Sequence, residues 1–154
     1  MNDAAHVFLE DLEPGLRFEC PQWEVTADDI IRFAREFDPQ PFHLDAAAAR
    51  QSLFEGLAAS GWHTASMMMG MATRSSFQPA NGHIGMGVDG LRFHRPVRPG
   101  DILHMDIEIL SARRSASQPG YGVVKVRWAA RNGEGQAVAE ATPSMWIAAR
   151  RARA

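Results

Sequence analysis

Hydrophobic residues change their spacing near Gly82, from the period of a helix to the period of strands. After this point apolar and polar residues alternate, most regularly at residues 102–109, which is the pattern of a half-buried antiparallel strand. The same reasoning predicts strands at residues 15–25, 84–93, 102–109, 121–130 and 136–147. Because one long helix precedes several long antiparallel strands, the sequence predicts an α+β fold in which a curved antiparallel sheet wraps around a central helix.

The expected central helix is apolar around its whole circumference. Ser60 suits an N-cap, Gly61 opens the helix, and the helical pattern continues to Arg74. Since a helix that is apolar on every side is normally buried on every side, we expect the protein core to surround this one. Its methionines are expected to fill gaps in that core rather than to hold a cofactor.

Two shorter helices are expected before it. Thr26 has the character of an N-cap, and the helix that follows should end before Asp38. Asp45 is expected to cap a short alanine-rich turn at residues 46–50, and we prefer this capping role to a catalytic one.

Size and composition describe an ordinary globular protein. The 154 residues are expected to form a single domain over residues 1–154, with a core from about residue 10 to residue 148. A net charge of −2 argues against a nucleic-acid partner, and no apolar run is long enough to span a membrane. The single cysteine, Cys20, cannot form an internal disulfide and is expected to pack in the first strand, so a cytoplasmic location is expected.

The segment from Asp38 to His43 contains the most suggestive chemistry. An acid and an imidazole lie five residues apart across Pro39 and Pro41, a spacing that does not bring side chains together on a helix. We expect a stiff loop that aims both side chains at one point, where they could move protons on and off a water molecule. An ordinary Asp-Pro turn with solvated side chains is the structural alternative.

Two motifs together give the chain a resemblance to a known family. The sequence Asp38-Pro39-Gln40-Pro41-Phe42-His43 is similar to the hydratase signature Asp-x-Asn-Pro-x-His. The segment 91–101 is similar to the strand and turn Phe-x-x-Pro-Val-x-x-Gly-Asp, and residues 59–62 lie where that family begins its central helix. The chain therefore resembles the MaoC-like dehydratases, or (R)-specific enoyl-CoA hydratases, which have the hot-dog fold. Phe37 replaces the glycine that often precedes the acid, and Gln40 replaces the asparagine.

The resemblance implies reversible addition of water to the 2,3-double bond of an enoyl-CoA, or of a carrier-protein thioester. It implies that Asp38 and His43 are catalytic and hold the water together, with the choice of base and acid left open. The free N–H groups around Gly61 are expected to form the oxyanion hole. Ser66 matches a serine of the family that supports the pair, and Gln40 and Ser60 complete the supporting set.

The remaining implications concern partners and alternatives. No cofactor is expected, and no metal, since the histidines show no shared ligand spacing. The phosphates of CoA could meet Arg92, Arg95, Arg98, Arg113 or Arg114, with no basis for a choice. Hot-dog domains usually pair edge to edge, which implies a homodimer or a larger homo-oligomer. A hot-dog thioesterase and a non-catalytic acyl-thioester-binding module are the alternatives, although residues 61–74 lack the acid that such thioesterases commonly use.

Overall fold

The computed structural model describes residues 5–151, so the first four and last three residues of the expected domain lie outside the described residues. Two short strands precede four helices in the chain, and four long strands follow the last helix. The helices are α1 Ala27–Phe37, α2 Pro41–Leu44, α3 Ala46–Arg50 and α4 Gly61–Thr73. The strands are β1 Arg17–Glu19, β2 Trp23–Glu24, β3 Ile84–Phe93, β4 Ile102–Arg114, β5 Tyr121–Arg131 and β6 Ala137–Ala148.

The strands form one antiparallel sheet in the order β1-β4-β5-β6-β3, and β2 also pairs with β4. On β4 and β6 buried residues alternate with more exposed ones, so each strand turns one face toward the core. The α+β prediction of a curved antiparallel sheet around a helix is confirmed. Strand β3 is at one edge of the sheet and pairs only with β6 among the described residues.

Helix α4 supplies the side chains that fill the centre of the core. Met67, Met68 and Met71 are at most 3% exposed, which confirms that these methionines are core residues. The expectation that this helix is buried on all sides is wrong, because Trp62 is 66% exposed and Ser66 is also exposed. An open groove of about 500 Å³ separates this side of α4 from β3.

The single strand expected at residues 15–25 is replaced by two short strands. Both pair with β4, and the break between them contains Cys20 and Pro21. A proline has no N–H to donate to a neighbouring strand, which explains the interruption. Cys20 packs against the core, although it lies between the two strands rather than in one, and burial raises the pKa of its thiol to about 11.

A tight turn connects β3 to β4 and explains the Gly-Asp pair of the second motif. The Asp101 carboxylate accepts a hydrogen bond from the Arg98 main-chain N–H at 2.8 Å. Gly100 has a φ of 87°, which a residue with a side chain rarely adopts. The turn therefore needs both residues to hold its shape.

Near the other end of the sheet, a 3₁₀ turn at Leu9–Asp11 covers β5. The Leu9 side chain lies directly over Gly122, and a Cβ at Gly122 would also lie 2.6 Å from the Arg113 main-chain oxygen. A side chain at this position would have to push two parts of the protein apart. Within residues 5–151, no helix is long and apolar enough to cross a membrane.

Candidate active site

Asp38 and His43 lie close together, although not on the loop that we expected. Asp38 is the C-cap of α1, and His43 belongs to α2, a single helical turn that begins at Pro41. Proline is well tolerated at the first position of a helix because that position needs no N–H donor. The distance between His43 Nε2 and Asp38 Oδ2 is 3.4 Å.

The His43 ring is held in one orientation by the main chain. Its side chain is only 5% exposed, and Nδ1 lies 2.6 Å from the Ala58 carbonyl oxygen. Because a carbonyl can only accept a hydrogen bond, Nδ1 must carry a proton in this contact. In the neutral ring, the lone pair is therefore on Nε2, the nitrogen that faces Asp38.

Asp38 is surrounded by groups that favour its charged form. The Gln40 amide donates a hydrogen bond to Asp38 Oδ1 at 2.5 Å. The Ser60 hydroxyl lies near the same carboxylate and also favours its charged form. Burial works to raise the pKa of Asp38, but Ser60, Gln40 and the nearby His43 together outweigh it. The pKa of Asp38 is thus lower than its ordinary value.

Ser60 connects the carboxylate to the start of the central helix. It is the N-cap of α4, as predicted, and its Oγ also accepts the Trp62 N–H at 3.2 Å. The Gly61 N–H has no acceptor among the described residues, as expected for the first turn of a helix. One buried hydroxyl therefore links the acid to the end of α4 that carries a free N–H donor.

A cavity of about 220 Å³ lies between His43 and the start of α4. It is lined by His43, Phe54, Ala59, Gly61, Thr64, Phe93, His94, Arg95, Pro96 and Val97. Asp38 is not among these lining residues, but its carboxylate contacts the His43 imidazole, which is one of them. The cavity is smaller than the roughly 300–1,000 Å³ of typical ligand pockets.

The absence of a side chain at Gly61 has a structural explanation in this chain. A Cβ at Gly61 would lie 2.6 Å from Cε2 and 2.8 Å from Cζ of the Phe93 ring. Phe93 thus occupies the space beside the Gly61 Cα, and it is the aromatic residue of the second motif. The phenylalanine and the glycine therefore bring the second motif into contact with residues 59–62 at the cavity.

The predicted supporting residues differ in their positions. Gln40 donates a hydrogen bond to Asp38, and Ser60 favours the charged form of the same carboxylate. The Ser66 hydroxyl donates to the Trp62 carbonyl at 2.7 Å and lines the groove beside β3 rather than the cavity. Of the arginines considered for the CoA phosphates, Arg95 lines the cavity, whereas the guanidinium of Arg98 contacts main-chain carbonyls.

His63 lies in the first turn of α4 and is buried. Its ring stacks on Phe33 with a centroid distance of 4.8 Å. Burial lowers the pKa of His63; the charges of Arg32 and His43 act in the same direction, and Asp29 opposes them. The neutral form of His63 is therefore the one that this packing favours.

Sequence reasoning missed the parts of the site that come from the main chain and from distant aromatic residues. Ala58 acts through its carbonyl, and no sequence pattern marks an alanine for that role. Phe54 packs against both Phe42 and His43. Within residues 5–151, no group of three or more His, Cys, Asp or Glu side chains is placed to hold a metal ion.

Comparison with known proteins identifies the family. The family model described as "MaoC like domain" matches residues 12–131, and the chain belongs to this family. The structure has the hot-dog fold, as predicted. It is similar to the crystal structure of the MaoC-like dehydratase from Rhodospirillum rubrum, with a TM-score of 0.89 and 44% sequence identity over 95% of this chain and 99% of that one.

Two further relatives have names that describe a reaction. The R-hydratase PhaJ1 from Pseudomonas aeruginosa is similar in structure, with a TM-score of 0.71, 26% identity, and coverage of 95% of this chain and 88% of that one. The 3-hydroxybutyryl-CoA dehydratase of Methylorubrum extorquens is 32% identical over 104 residues. That match covers 67% of this chain and 64% of the relative, slightly under two thirds of its length.

Proposed function

We propose that the protein is a hydratase that adds water reversibly to the 2,3-double bond of an enoyl-CoA and gives a 3-hydroxyacyl-CoA. The observation that carries this proposal is the 3.4 Å contact between His43 Nε2 and Asp38 Oδ2 beside a cavity that reaches the start of α4. Membership of the family and the names of the hydratase and dehydratase relatives support it.

In our proposal His43 is the base and Asp38 is its partner. The Ala58 carbonyl holds the proton on Nδ1, so Nε2 is free to accept a proton from water. An imidazole accepts protons near neutral pH, whereas a carboxylate with a lowered pKa does not. The Asp38 carboxylate accepts the second O–H of the water and stabilises the imidazolium that forms.

The proposed steps balance with one water molecule. The water oxygen bonds to the β-carbon as His43 removes one of its protons, and the π electrons move to the thioester oxygen as an enolate. The imidazolium then returns the proton to the α-carbon, and the enolate collapses to the thioester. In the direction of dehydration, the same imidazole removes the α-proton and protonates the leaving hydroxyl.

The enolate oxygen needs hydrogen-bond donors that are in place before charge develops. We assign this role to the Gly61 N–H, which begins α4, lines the cavity with His43 and has no acceptor among residues 5–151. The partial positive charge at a helix N-terminus adds to the effect. The thioester would enter between Phe93 and His43 to reach it.

The supporting residues act on the pair or on the helix. Gln40 and Ser60 keep Asp38 charged through their hydrogen bonds. Ser66 braces the first turn of α4 by donating to the Trp62 carbonyl. Their removal would therefore change the position or charge of groups that touch the substrate.

We also propose that the enzyme is a homodimer formed through β3. This strand pairs on one side only among the described residues, and its exposed residues include Ile84, Met86 and Val88. An apolar edge of this kind is normally covered by another chain. The groove beside Trp62 lies next to the same edge, so a second copy would cover both.

The substrate and setting are extensions of the same proposal. The cavity within one chain is large enough only for the reacting end of a thioester, so the carrier would extend outside it, and a carrier-protein thioester is the second choice after CoA. The domain would occupy the whole chain. The lone cysteine suits the reducing cytoplasm, where we place the enzyme.

The test is to incubate the purified protein with a short 2-enoyl-CoA and to measure both 3-hydroxyacyl-CoA and free thiol. The proposal predicts hydroxyacyl product without thiol release. Thiol without hydroxyacyl product would instead establish a thioesterase, and binding without either product would establish a non-catalytic module. Because α4 contains no Asp or Glu, the thioesterase outcome would require a nucleophile or base from elsewhere.

A further inference from the structure

We infer that Arg98 is a positioning residue that fixes the orientation of the catalytic histidine through the segment that carries Ala58. The inference rests on the proposed function for its kinetic consequence, but its structural consequence can be measured without a substrate. Arg98 itself does not line the cavity, and it touches neither Asp38 nor His43.

The first observation is that the Arg98 guanidinium is bound to main-chain carbonyls. Its Nη1 donates to Gly56 O at 2.8 Å and lies 3.4 Å from Leu57 O, and its Nη2 donates to Phe54 O. Within residues 5–151, no carboxylate forms a salt bridge with this arginine, so these carbonyls are its main partners. A half-buried guanidinium committed to three carbonyls serves the conformation of that segment and is not available for a phosphate.

The second observation is that the segment holds an unfavourable backbone conformation. Glu55, between two of the bound carbonyls, has a φ of 58°. Residues other than glycine rarely adopt this left-handed conformation, so it persists where surrounding contacts demand it. The Arg98 hydrogen bonds on both sides of Glu55 are such contacts.

The third observation is that residues 54–57, which contain the three carbonyls bound by Arg98, lead directly to Ala58. The Ala59 N–H donates to Val97 O at 2.9 Å, so the chain is tied to the residue before Arg98 as well. Ala58 therefore lies between two attachments to the β3–β4 turn. Its carbonyl is the group that holds the proton on His43 Nδ1.

A second consequence concerns the cavity wall. Phe54, whose carbonyl Arg98 binds, also packs its ring at 5.8 Å from the His43 ring and lines the cavity. Loss of the Arg98 hydrogen bonds would thus allow both the Ala58 carbonyl, which is the acceptor for Nδ1, and the Phe54 ring to move away from the imidazole. Both changes would let Nδ1 lose its partner and allow the proton to move to Nε2.

The test compares wild type with Arg98→Met and Arg98→Lys. The primary measurement is the tautomer of His43 by ¹⁵N NMR of the substrate-free protein at a pH where the ring is neutral. We expect Nδ1–H to predominate in wild type, the Nε2–H fraction to rise clearly in Arg98→Met, and an intermediate result in Arg98→Lys. In hydration of a short 2-enoyl-CoA, kcat should fall about tenfold or more in Arg98→Met while KM changes by less than about threefold.

Two further variants make the result decisive. Arg127→Met removes a surface arginine that pairs with Glu108, and it should change neither the tautomer nor kcat. If Arg98→Met does not fold, Gly56→Ala is a milder perturbation, because its Cβ would lie 3.2 Å from Arg98 Nη1; it should shift the tautomer in the same direction. An unchanged His43 tautomer in folded Arg98→Met, or in Gly56→Ala where Arg98→Met does not fold, would overturn the inference.

The two proposals can fail separately. Suppose that the wild-type protein has no hydratase activity but that Arg98→Met still changes the His43 tautomer. This result would refute the proposed function and support the positioning role of Arg98. An active wild-type protein whose kcat and His43 tautomer do not change on substitution of Arg98 would support the proposed function and refute the positioning role of Arg98.

Discussion

Replacing Ser60 with alanine should reveal how strongly the start of α4 is coupled to the acid of the site. Ser60 has two functions, since its Oγ caps α4 by accepting the Trp62 N–H and its hydroxyl favours the charged form of Asp38. Thr26 provides a matched control because it caps α1 through Asp29 N at 3.1 Å and is exposed. The two variants lose the same kind of cap, but only Ser60→Ala also removes a donor from a carboxylate.

The expected magnitudes differ accordingly. Loss of an N-cap costs about 1 kcal/mol, so Thr26→Ala should lower the free energy of unfolding by about that much. A hydrogen bond from Ser60 to the charged Asp38 would add about 1.5–3 kcal/mol to the cost of the cap, so we predict that Ser60→Ala costs about 2.5–4 kcal/mol. For a chain of this size, each kcal/mol corresponds to about 2–4 °C in Tm.

The pH dependence separates the two contributions. The Asp38 pKa is lowered in the folded protein, so the stability that its charged form provides is present above the ordinary carboxyl pKa of about 3.9. This stability is lost as the pH falls through the folded pKa. The difference between wild type and Ser60→Ala should therefore shrink below about pH 4 toward the cost of the cap alone.

Urea unfolding of the three proteins at equal concentration, from pH 7 to pH 3, measures these differences. Equal losses in Ser60→Ala and Thr26→Ala at neutral pH would refute the coupling. So would a difference for Ser60→Ala that stays constant on acidification.

Three further predictions concern the rest of the fold. His63→Phe should make the free energy of unfolding less dependent on pH in the acid range. The stability from neutral His63 is present above about pH 6.5 and is lost as the pH falls through its lowered folded pKa. Urea midpoints of wild type and variant that change equally from pH 8 to pH 5 would contradict this. Gly122→Ala should destabilise by about 1–3 kcal/mol through overpacking. In the control Gly133→Ala a Cβ meets nothing within 4 Å, and a urea midpoint as low as that of Gly122→Ala would argue against the steric explanation. The double change Met86→Lys and Val88→Lys should convert a dimer to a monomer in sedimentation equilibrium, and an unchanged mass would rule out β3 as the interface.

The sequence predicted those parts of the fold that depend on local periodicity or local hydrogen bonding. Strand β3 was predicted with the bounds that the structure has, since its turn residues mark both ends. Asp45 was predicted as a cap, and its carboxylate accepts the N–H groups of Ala47 and Ala48. In both cases the determining interactions lie within a few residues of each other.

Features that depend on distant contacts were not predictable in this way. A stiff loop was expected from Asp38 to His43, but the helix α2 begins at Pro41 because its first position needs no donor. The His43 contact to Ala58 spans 15 residues, and the Arg98 contacts to residues 54–57 span more than 40. Such contacts join main-chain carbonyls to side chains, and the identity of the residue that offers a carbonyl leaves no trace in the sequence.

The most direct test of the central claim is the initial rate of hydration of a short 2-enoyl-CoA by Asp38→Asn and by Asp45→Asn. The second variant makes the same chemical change seven residues away, at a cap that asparagine serves equally well. We predict that Asp38→Asn keeps the fold, by circular dichroism, and loses at least about a hundredfold in kcat, while Asp45→Asn stays within about twofold of wild type. Near-normal hydration by a folded Asp38→Asn protein would contradict the proposed role of the Asp38–His43 pair.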